Sequence, residues 1–266
     1  MTKRSLGRLY LVVVCALVIL TLLNAERFAG LALANQEYKA ARFFYRVGAA
    51  IGHPNAQNNL AGLYAEGLGG PRSDARAAQW FQRAADQGVL QAKFNLSNFY
   101  EEGRGVPRDT RKAIALLESV AAAGDLDAQF NLGNLYASGR DDFPKDTAKG
   151  IVWYGKAADR GHPSAQYNLG LLYMLGIDVP KDQRVAGNWY FRAAKQGHPK
   201  AQVDVGTMLV FGLGTDKNVE EGIRWLKLAA SNPANVEDVK VRIREACDAN
   251  LELVQTPFCQ TQKTNP

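Results

Sequence analysis

The sequence contains few of the residues that most often carry chemistry. Its 266 residues include only three cysteines, three histidines and three methionines. The histidines His53, His162 and His198 each stand in a Gly-His-Pro turn, far apart along the chain. A metal site needs ligands that converge on one ion, and no Ser-His-Asp arrangement is visible. We therefore predict no catalytic residue, no metal site and no cofactor.

Other absences exclude further classes of protein. No segment alternates apolar and polar residues at period two, so no sheet is predicted. The net charge is +6, but four cations and one acid lie in residues 1–34, which leaves +3 for the remainder. Acids and bases are mixed along that remainder, so we exclude a basic face for nucleic acid.

A pattern of 36 or 37 residues recurs five times. Its most regular position is a tyrosine, replaced by leucine in the last copy: Tyr64, Tyr100, Tyr136, Tyr173 and Leu209. Self-similarity at this period is typical of stacked structural repeats. A phosphate-binding loop would occur once and end in Gly-Lys-Ser or Gly-Lys-Thr. The glycines of AQYNLGLLYMLGIDVPKD, at 165–182, recur without that ending and are interpreted as architectural.

Each repeat contains two helical stretches. In the first, Ala165, Leu169 and Tyr173 are spaced four residues apart and share one helical face. Three residues before each tyrosine position stands a small residue, which predicts a close helix crossing: Ala61, Ser97, Gly133, Gly170 and Gly206. The second stretch carries a bulky pair followed by alanines, as in Trp189-Tyr190 with Ala193-Ala194. Bulky residues of one helix can then occupy the space beside the alanines of another.

The combined pattern A-x-x-x-L-G-x-L-Y-x-x-G-x-G-V-x-x-D and K-A-x-x-W-Y-x-K-A-A-x-x-G resembles the Sel1-like repeat, a relative of the tetratricopeptide repeat. The resemblance covers 56–231 as five copies, with a second-helix half-repeat at 35–55. It departs locally, since the third loop has one extra residue and the fifth copy lacks both the tyrosine and the proline. The resemblance implies an all-α, right-handed solenoid of helix-turn-helix repeats.

The remaining residues, 232–266, are predicted to close the stack. A capping helix is expected over about 236–249, with Asn235 as its N-cap and an apolar stripe of Val239, Ile243 and Ala246. Residues after this helix are expected to form a loosely held tail. Cys247 and Cys259 are predicted to form a disulfide in an exported chain, and the alternative is two free thiols.

The N-terminal residues 1–34 predict export. Lys3, Arg4 and Arg8 precede an uncharged run, LYLVVVCALVILTLLNA, at 9–25. This run is either a cleaved signal, with Ala32-Leu33-Ala34 as the processing site, or a retained membrane anchor at the lower limit of spanning length. Both interpretations leave the positive charges in the cytoplasm and place the repeats in the bacterial periplasm.

Proteins that resemble this chain act as interaction scaffolds. By analogy with the tetratricopeptide repeat, one helical face should line a concave groove that holds a protein or peptide partner, formed by Phe94, Asn98, Glu101, Phe130, Asn134, Tyr167, Leu171 and Met174. The alternative is that the aromatic members only fill the core between repeats. We predict a non-enzymatic adaptor of the bacterial envelope; the rivals are a cell-wall-active enzyme or enzyme subunit and a structural component of a membrane complex.

Overall fold

The chain is helical throughout its regular structure. The computed structural model describes residues 24–231, 237–248, 255–257 and 259–260. Within these ranges lie thirteen helices and no strand, apart from one isolated bridge between Arg140 and Phe143. The helices are α1 Ala25–Ala34, α2 Tyr38–Ala50, α3 Pro54–Glu66, α4 Asp74–Asp86, α5 Leu90–Glu102, α6 Thr110–Ala122, α7 Leu126–Ser138, α8 Thr147–Asp159, α9 Pro163–Leu175, α10 Gln183–Lys195, α11 Pro199–Phe211, α12 Val219–Ala230 and α13 Glu237–Asp248. The predicted all-α repeat fold is confirmed.

The chain divides into two compact units, residues 1–123 and 124–266. In the first, α1 packs on α2, and the hairpins α3–α4 and α5–α6 follow. In the second, the hairpins are α7–α8, α9–α10 and α11–α12. Within each unit, the second helix of one hairpin also packs on the first helix of the next. Each hairpin therefore buries apolar surface against its neighbours, as a repeat architecture requires.

The small residue in the first helix of each hairpin allows its two helices to approach closely. A Cβ atom added to Gly133 would lie 2.4 Å from Cδ1 of Tyr154, and one added to Gly170 would lie 2.5 Å from Cδ1 of Tyr190. Each tyrosine lies on the second helix of the hairpin that contains the corresponding glycine, and both are buried. The close crossing predicted from the sequence is confirmed, because a larger side chain would overlap the aromatic ring.

Helix α1 differs from the sequence-based prediction, which assigns its residues to the leader. Its alanines Ala25, Ala29 and Ala32 are buried. The Phe28 and Phe44 rings lie 5.4 Å apart between centroids, which joins α1 to α2. Among the described residues no helix is both long and apolar enough to cross a membrane. Residues 1–23, which hold almost all of the apolar run, lie outside the described ranges.

The last helix, α13, packs on α11 and α12. Ile243 of the predicted stripe is buried in a cluster with Val203 and Val210. The structure joins Cys247 and Cys259 by a disulfide, with 5.6 Å between their Cα atoms. The predicted N-cap residue and the side chains of the other stripe residues lie outside what the structure describes: Asn235, Val239 and Ala246.

Candidate functional site

The predicted groove residues of the N-terminal unit lie on α5. Phe94, Asn98 and Glu101 are each half-buried. The hydroxyl of Ser97 donates a hydrogen bond to the carbonyl oxygen of Phe94 at 2.6 Å. These three predicted side chains follow one another at three- or four-residue spacing, so they share one face of the helix.

In the C-terminal unit the predicted groove aromatics are packed between successive hairpins. The Phe130 ring stacks on the His162 ring, with centroids 4.7 Å apart and 20° between the ring planes. It also contacts the ring of Tyr154 at 5.9 Å between centroids. The same arrangement recurs one repeat later. The centroid of the Tyr167 ring lies 4.6 Å from that of His198 and 5.4 Å from that of Tyr190. These aromatics therefore contribute to the cohesion between repeats.

The predicted residue Asn134 also joins neighbouring elements. Its side-chain oxygen accepts a hydrogen bond from the hydroxyl of Tyr154 at 2.7 Å and another from the amide of Asn168 at 3.3 Å. One bond stays within the α7–α8 hairpin, and the other reaches α9 of the next hairpin. The amide thus fixes the register of adjacent hairpins, because both bonds require one orientation of its side chain.

Apolar surface is left exposed on α9. The predicted residue Leu171 is 37% exposed, and Leu175, one helical turn further on, is 56% exposed. Met174 lies beside them but is half-buried against the cluster around Tyr190. Leu175 is not among the residues predicted from the sequence, although its four-residue spacing from Leu171 places both on one helical face. The two leucines form an exposed apolar strip on the first helix of this hairpin.

His162 and His198 cap helices with their side chains, whereas His53 occupies the N-cap position of α3 without such a bond. Nδ1 of His162 accepts a hydrogen bond from the backbone N–H of Ala165 at 3.1 Å, and its Nε2 lies 3.1 Å from a carboxylate oxygen of Asp127. Nδ1 of His198 accepts from the N–H of Ala201 at 3.2 Å. Within the described ranges, no three His, Cys, Asp or Glu side chains converge in a way that could hold a metal ion.

A buried glutamine, missed by the sequence analysis, links each of three hairpins to the preceding helix. Nε2 of Gln166 donates to the carbonyl oxygen of Ala158 at 2.9 Å, and Gln196 donates to the side-chain oxygen of Gln166 at 2.8 Å. Equivalent bonds to the preceding helix are made by Gln57 and Gln202. Each bond to the preceding helix adds a side-chain donor to a carbonyl in the last turn of a helix that already accepts a backbone N–H from the following turn.

We expect stability to fall at acidic pH partly through His198. Burial, Lys200 and His162, in decreasing order, lower its pKa below the usual value of 6.5. The unfolded chain therefore takes up a proton as the pH falls through about 6.5, while the folded chain resists it. The stability contributed by neutral His198 is complete above that pH and is lost as the pH falls toward the lowered pKa.

Thermal unfolding of the wild type and of His198→Asn, measured from about pH 7.5 to about pH 5.5, tests this expectation. Asparagine keeps an N-cap acceptor but cannot take up the proton. The wild type should lose more of its Tm than the variant over this range. Identical pH profiles for the two proteins would contradict the assignment.

The repeated hairpins, held together by stacked aromatics and buried amides, define a helical repeat protein. The chain belongs to the Sel1 repeat family. The family pattern matches five consecutive segments, 54–89, 90–125, 126–162, 163–198 and 199–233. Proteins built from this repeat generally mediate protein–protein interaction. No curated protein sequence matches the chain.

Solved structures agree with this assignment. A Sel1 repeat protein from Oxalobacter formigenes is 28% identical, with a TM-score of 0.75 over 91% of this chain and 98% of the other. The protein c5321, described as a protective antigen present in uropathogenic Escherichia coli strains, is also 28% identical, with a TM-score of 0.76 over 88% of this chain. The chain spans 51% of the length of c5321.

Proposed function

We propose that this protein is a non-enzymatic adaptor of the bacterial envelope that holds a segment of a protein partner on the first-helix faces of its repeats. The observation that carries the proposal is the apolar strip formed by Leu171 and Leu175 on α9. Two exposed leucines one turn apart offer a hydrophobic contact to a partner. The half-buried side chains of Met174 and Tyr173 border this strip on the same helix.

The proposal includes retention at the membrane through residues 9–25. Processing after Ala34 would remove α1, whose alanines are buried against the rest of the N-terminal unit. It would also remove Glu26, whose side chain accepts a hydrogen bond from the N–H of Ala56 at 3.2 Å and lies 3.5 Å from His53. The packing of α1 favours an anchor that stays attached, with the repeats on the periplasmic side.

Site-specific photo-crosslinking in cells tests the adaptor function. A photoreactive phenylalanine analogue replaces Leu171 or Leu175 in the full chain, and a matched control places it at Val152. Val152 is also 56% exposed but lies on α8, the second helix of its hairpin. We expect a discrete adduct with another protein from the α9 positions and none from Val152. Equal adducts at all three positions, or none at any, would remove the basis of the proposal.

Retention at the membrane is tested separately, by the mass of the mature protein and by its extraction with salt. Intact mass of the protein isolated from membranes should include residues 1–34, and the protein should resist extraction by high salt. A mature form that begins after Ala34 would contradict retention and leave the adaptor function unaffected.

A further inference from the structure

A strongly basic cavity lies in the N-terminal unit and is unused by the function proposed above. It has a volume of about 280 Å³ and is lined by Phe43, Tyr64, the turn Gly69-Gly70-Pro71 and four cationic side chains: Lys39, Arg42, Arg46 and Arg76. Among the described residues, none that lines this cavity carries a carboxylate. The charge is concentrated by α2, which carries three cations and no acid in its thirteen residues. We call this site the basic cavity.

Arg42 forms the floor of the basic cavity. It is only 7% exposed, and its guanidinium donates to the carbonyl oxygens of Leu68 at 3.4 Å and Pro71 at 3.2 Å. Its Cζ atom also lies 4.0 Å from the centre of the Tyr64 ring. Arg42 thus holds the turn after α3 in place. Within the described ranges its buried charge has no carboxylate partner, which is unusual because buried charges are normally paired.

The other cations are available to a ligand. Lys39, Arg46 and Arg76 are exposed, and none of them has an ion pair with a carboxylate within the part of the chain that the structure describes. The carboxylate of Glu37 lines an adjoining cavity, which shares Lys39 with the basic cavity. Asp74, on the same helix as Arg76, is already paired with Arg72 and Arg104.

The positive charge of the cavity acts on Tyr64. Burial raises the pKa of this phenol, but hydrogen bonding to Arg42 and Arg76 and their charges lower it more, so the pKa is below its ordinary value of 10.0. An anion placed beside the ring would oppose this effect. Tyr64 is therefore an internal probe of whether a negatively charged ligand enters the cavity.

We propose that the basic cavity binds an acidic segment of a protein partner, with carboxylates at Lys39, Arg46 and Arg76 and an apolar side chain against Phe43. An acidic protein segment fits better than a bare anion because the lining combines cations with the exposed ring of Phe43, which is 56% exposed, and with backbone of the glycine turn. The inference deepens the proposed function by naming the chemistry of a partner at a second contact.

Fluorescence anisotropy with synthetic peptides tests the proposal on the full chain in zwitterionic detergent micelles. The probe is a labelled decapeptide that alternates aspartate and leucine, and the control peptide alternates asparagine and leucine. We expect the acidic peptide to bind more tightly, and its Kd to rise steeply with salt because the cations lie near the surface. Equal binding of the two peptides would overturn the proposal.

Charge variants locate the binding. Lys39→Gln combined with Arg46→Gln should raise the Kd of the acidic peptide about tenfold, since two of the attracting charges are lost. The matched control, Arg108→Gln with Arg111→Gln, removes two exposed cations elsewhere in the same unit and should leave the Kd within about twofold. Arg42 is left intact because it braces the turn. Equal losses in the two double variants would show only a non-specific effect of net charge.

Two further readouts complete the test. The acidic peptide should raise the pKa of Tyr64, followed as tyrosinate absorbance and assigned by subtraction of Tyr64→Phe. Micelles doped with phosphatidylglycerol supply the alternative anion; if they displace the peptide and bind more tightly, the occupant is lipid and the proposal fails. Because these measurements use a synthetic peptide, they are independent of crosslinking at Leu171 and Leu175.

Discussion

Replacing Gly170 by alanine is expected to destabilise the C-terminal unit by about 1–3 kcal/mol, although alanine favours helix formation. The added Cβ would lie 2.5 Å from Cδ1 of Tyr190 and 3.2 Å from the carbonyl oxygen of Ala186. Tyr190 is only 2% exposed, so its ring has no free space to move into. The hairpin helices would have to separate. Urea unfolding, with the midpoint as readout, measures the loss.

Gly155 provides the matched control. It lies in the interior of α8, and a Cβ added there would meet nothing within 4 Å. Gly155→Ala should therefore raise stability by about 0.5–1 kcal/mol, because alanine loses less backbone entropy on folding. Opposite signs at two helical glycines of the same unit would establish that contact with Tyr190 controls the outcome. A stabilising Gly170→Ala would contradict the close-crossing interpretation.

The sequence itself suggests a compensating change. In the second hairpin, Ser97 occupies the register of Gly170, and the residue opposite is Leu117 rather than a tyrosine. In this hairpin a smaller partner accompanies the larger crossing residue, whereas in the first hairpin Ala61 stands at the same register as Phe81. Tyr190→Leu should accordingly recover part of the loss caused by Gly170→Ala, and a double-mutant cycle would report a favourable coupling between the two sites.

Much of the fold could be predicted because it depends on spacings repeated within one chain. The helix faces, the close crossings and the all-α class follow from residues three and four positions apart. Helix α1 could not be distinguished from the leader because its buried alanines directly follow the apolar run and look continuous with it. The four-residue step from Ala25 to Ala29, followed by Ala32, was the available signal.

The site was harder to predict because its contacts join different repeats. The stacking of Phe130 on His162 brings together residues of two helices that the periodic pattern leaves independent. The pattern placed Phe130 on a defined face but could not tell whether another side chain would cover it. The basic cavity was missed for a related reason: overall charge is nearly balanced, and only the fold assembles Arg76 of α4 with the cations of α2.

Substitution of a glycine in the loop between the two helices of a hairpin is the second change expected to lower stability strongly. Gly105 has a φ of 65°, in the left-handed region that disfavours other residues. A Cβ added there would lie 2.3 Å from the carbonyl carbon of Asp74 and 2.4 Å from the nitrogen of Ala75. These are backbone atoms in the first turn of α4, the second helix of the preceding hairpin. Equivalent contacts with the corresponding turns are made by Gly69 and Gly214.

Gly105→Ala is therefore expected to lower stability by about 3 kcal/mol or more, because the strain of the left-handed backbone adds to a contact that only backbone movement can relieve. Gly88→Ala separates the two contributions: Gly88 has a φ of 88°, and a Cβ there would meet nothing within 4 Å. That variant should lose only about 1–2 kcal/mol.

The fourth repeat shows that the left-handed turn does not by itself require glycine. Its loop has Asp178 at the position of Gly105, with a φ of 55°. Aspartate tolerates this conformation better than most residues, so a left-handed turn alone does not require glycine. Where the loop lies directly on the backbone of the preceding hairpin, as at Gly105, any side chain separates the two hairpins. Equal losses of unfolding free energy from Gly88→Ala and Gly105→Ala would show instead that these glycines serve the turn alone.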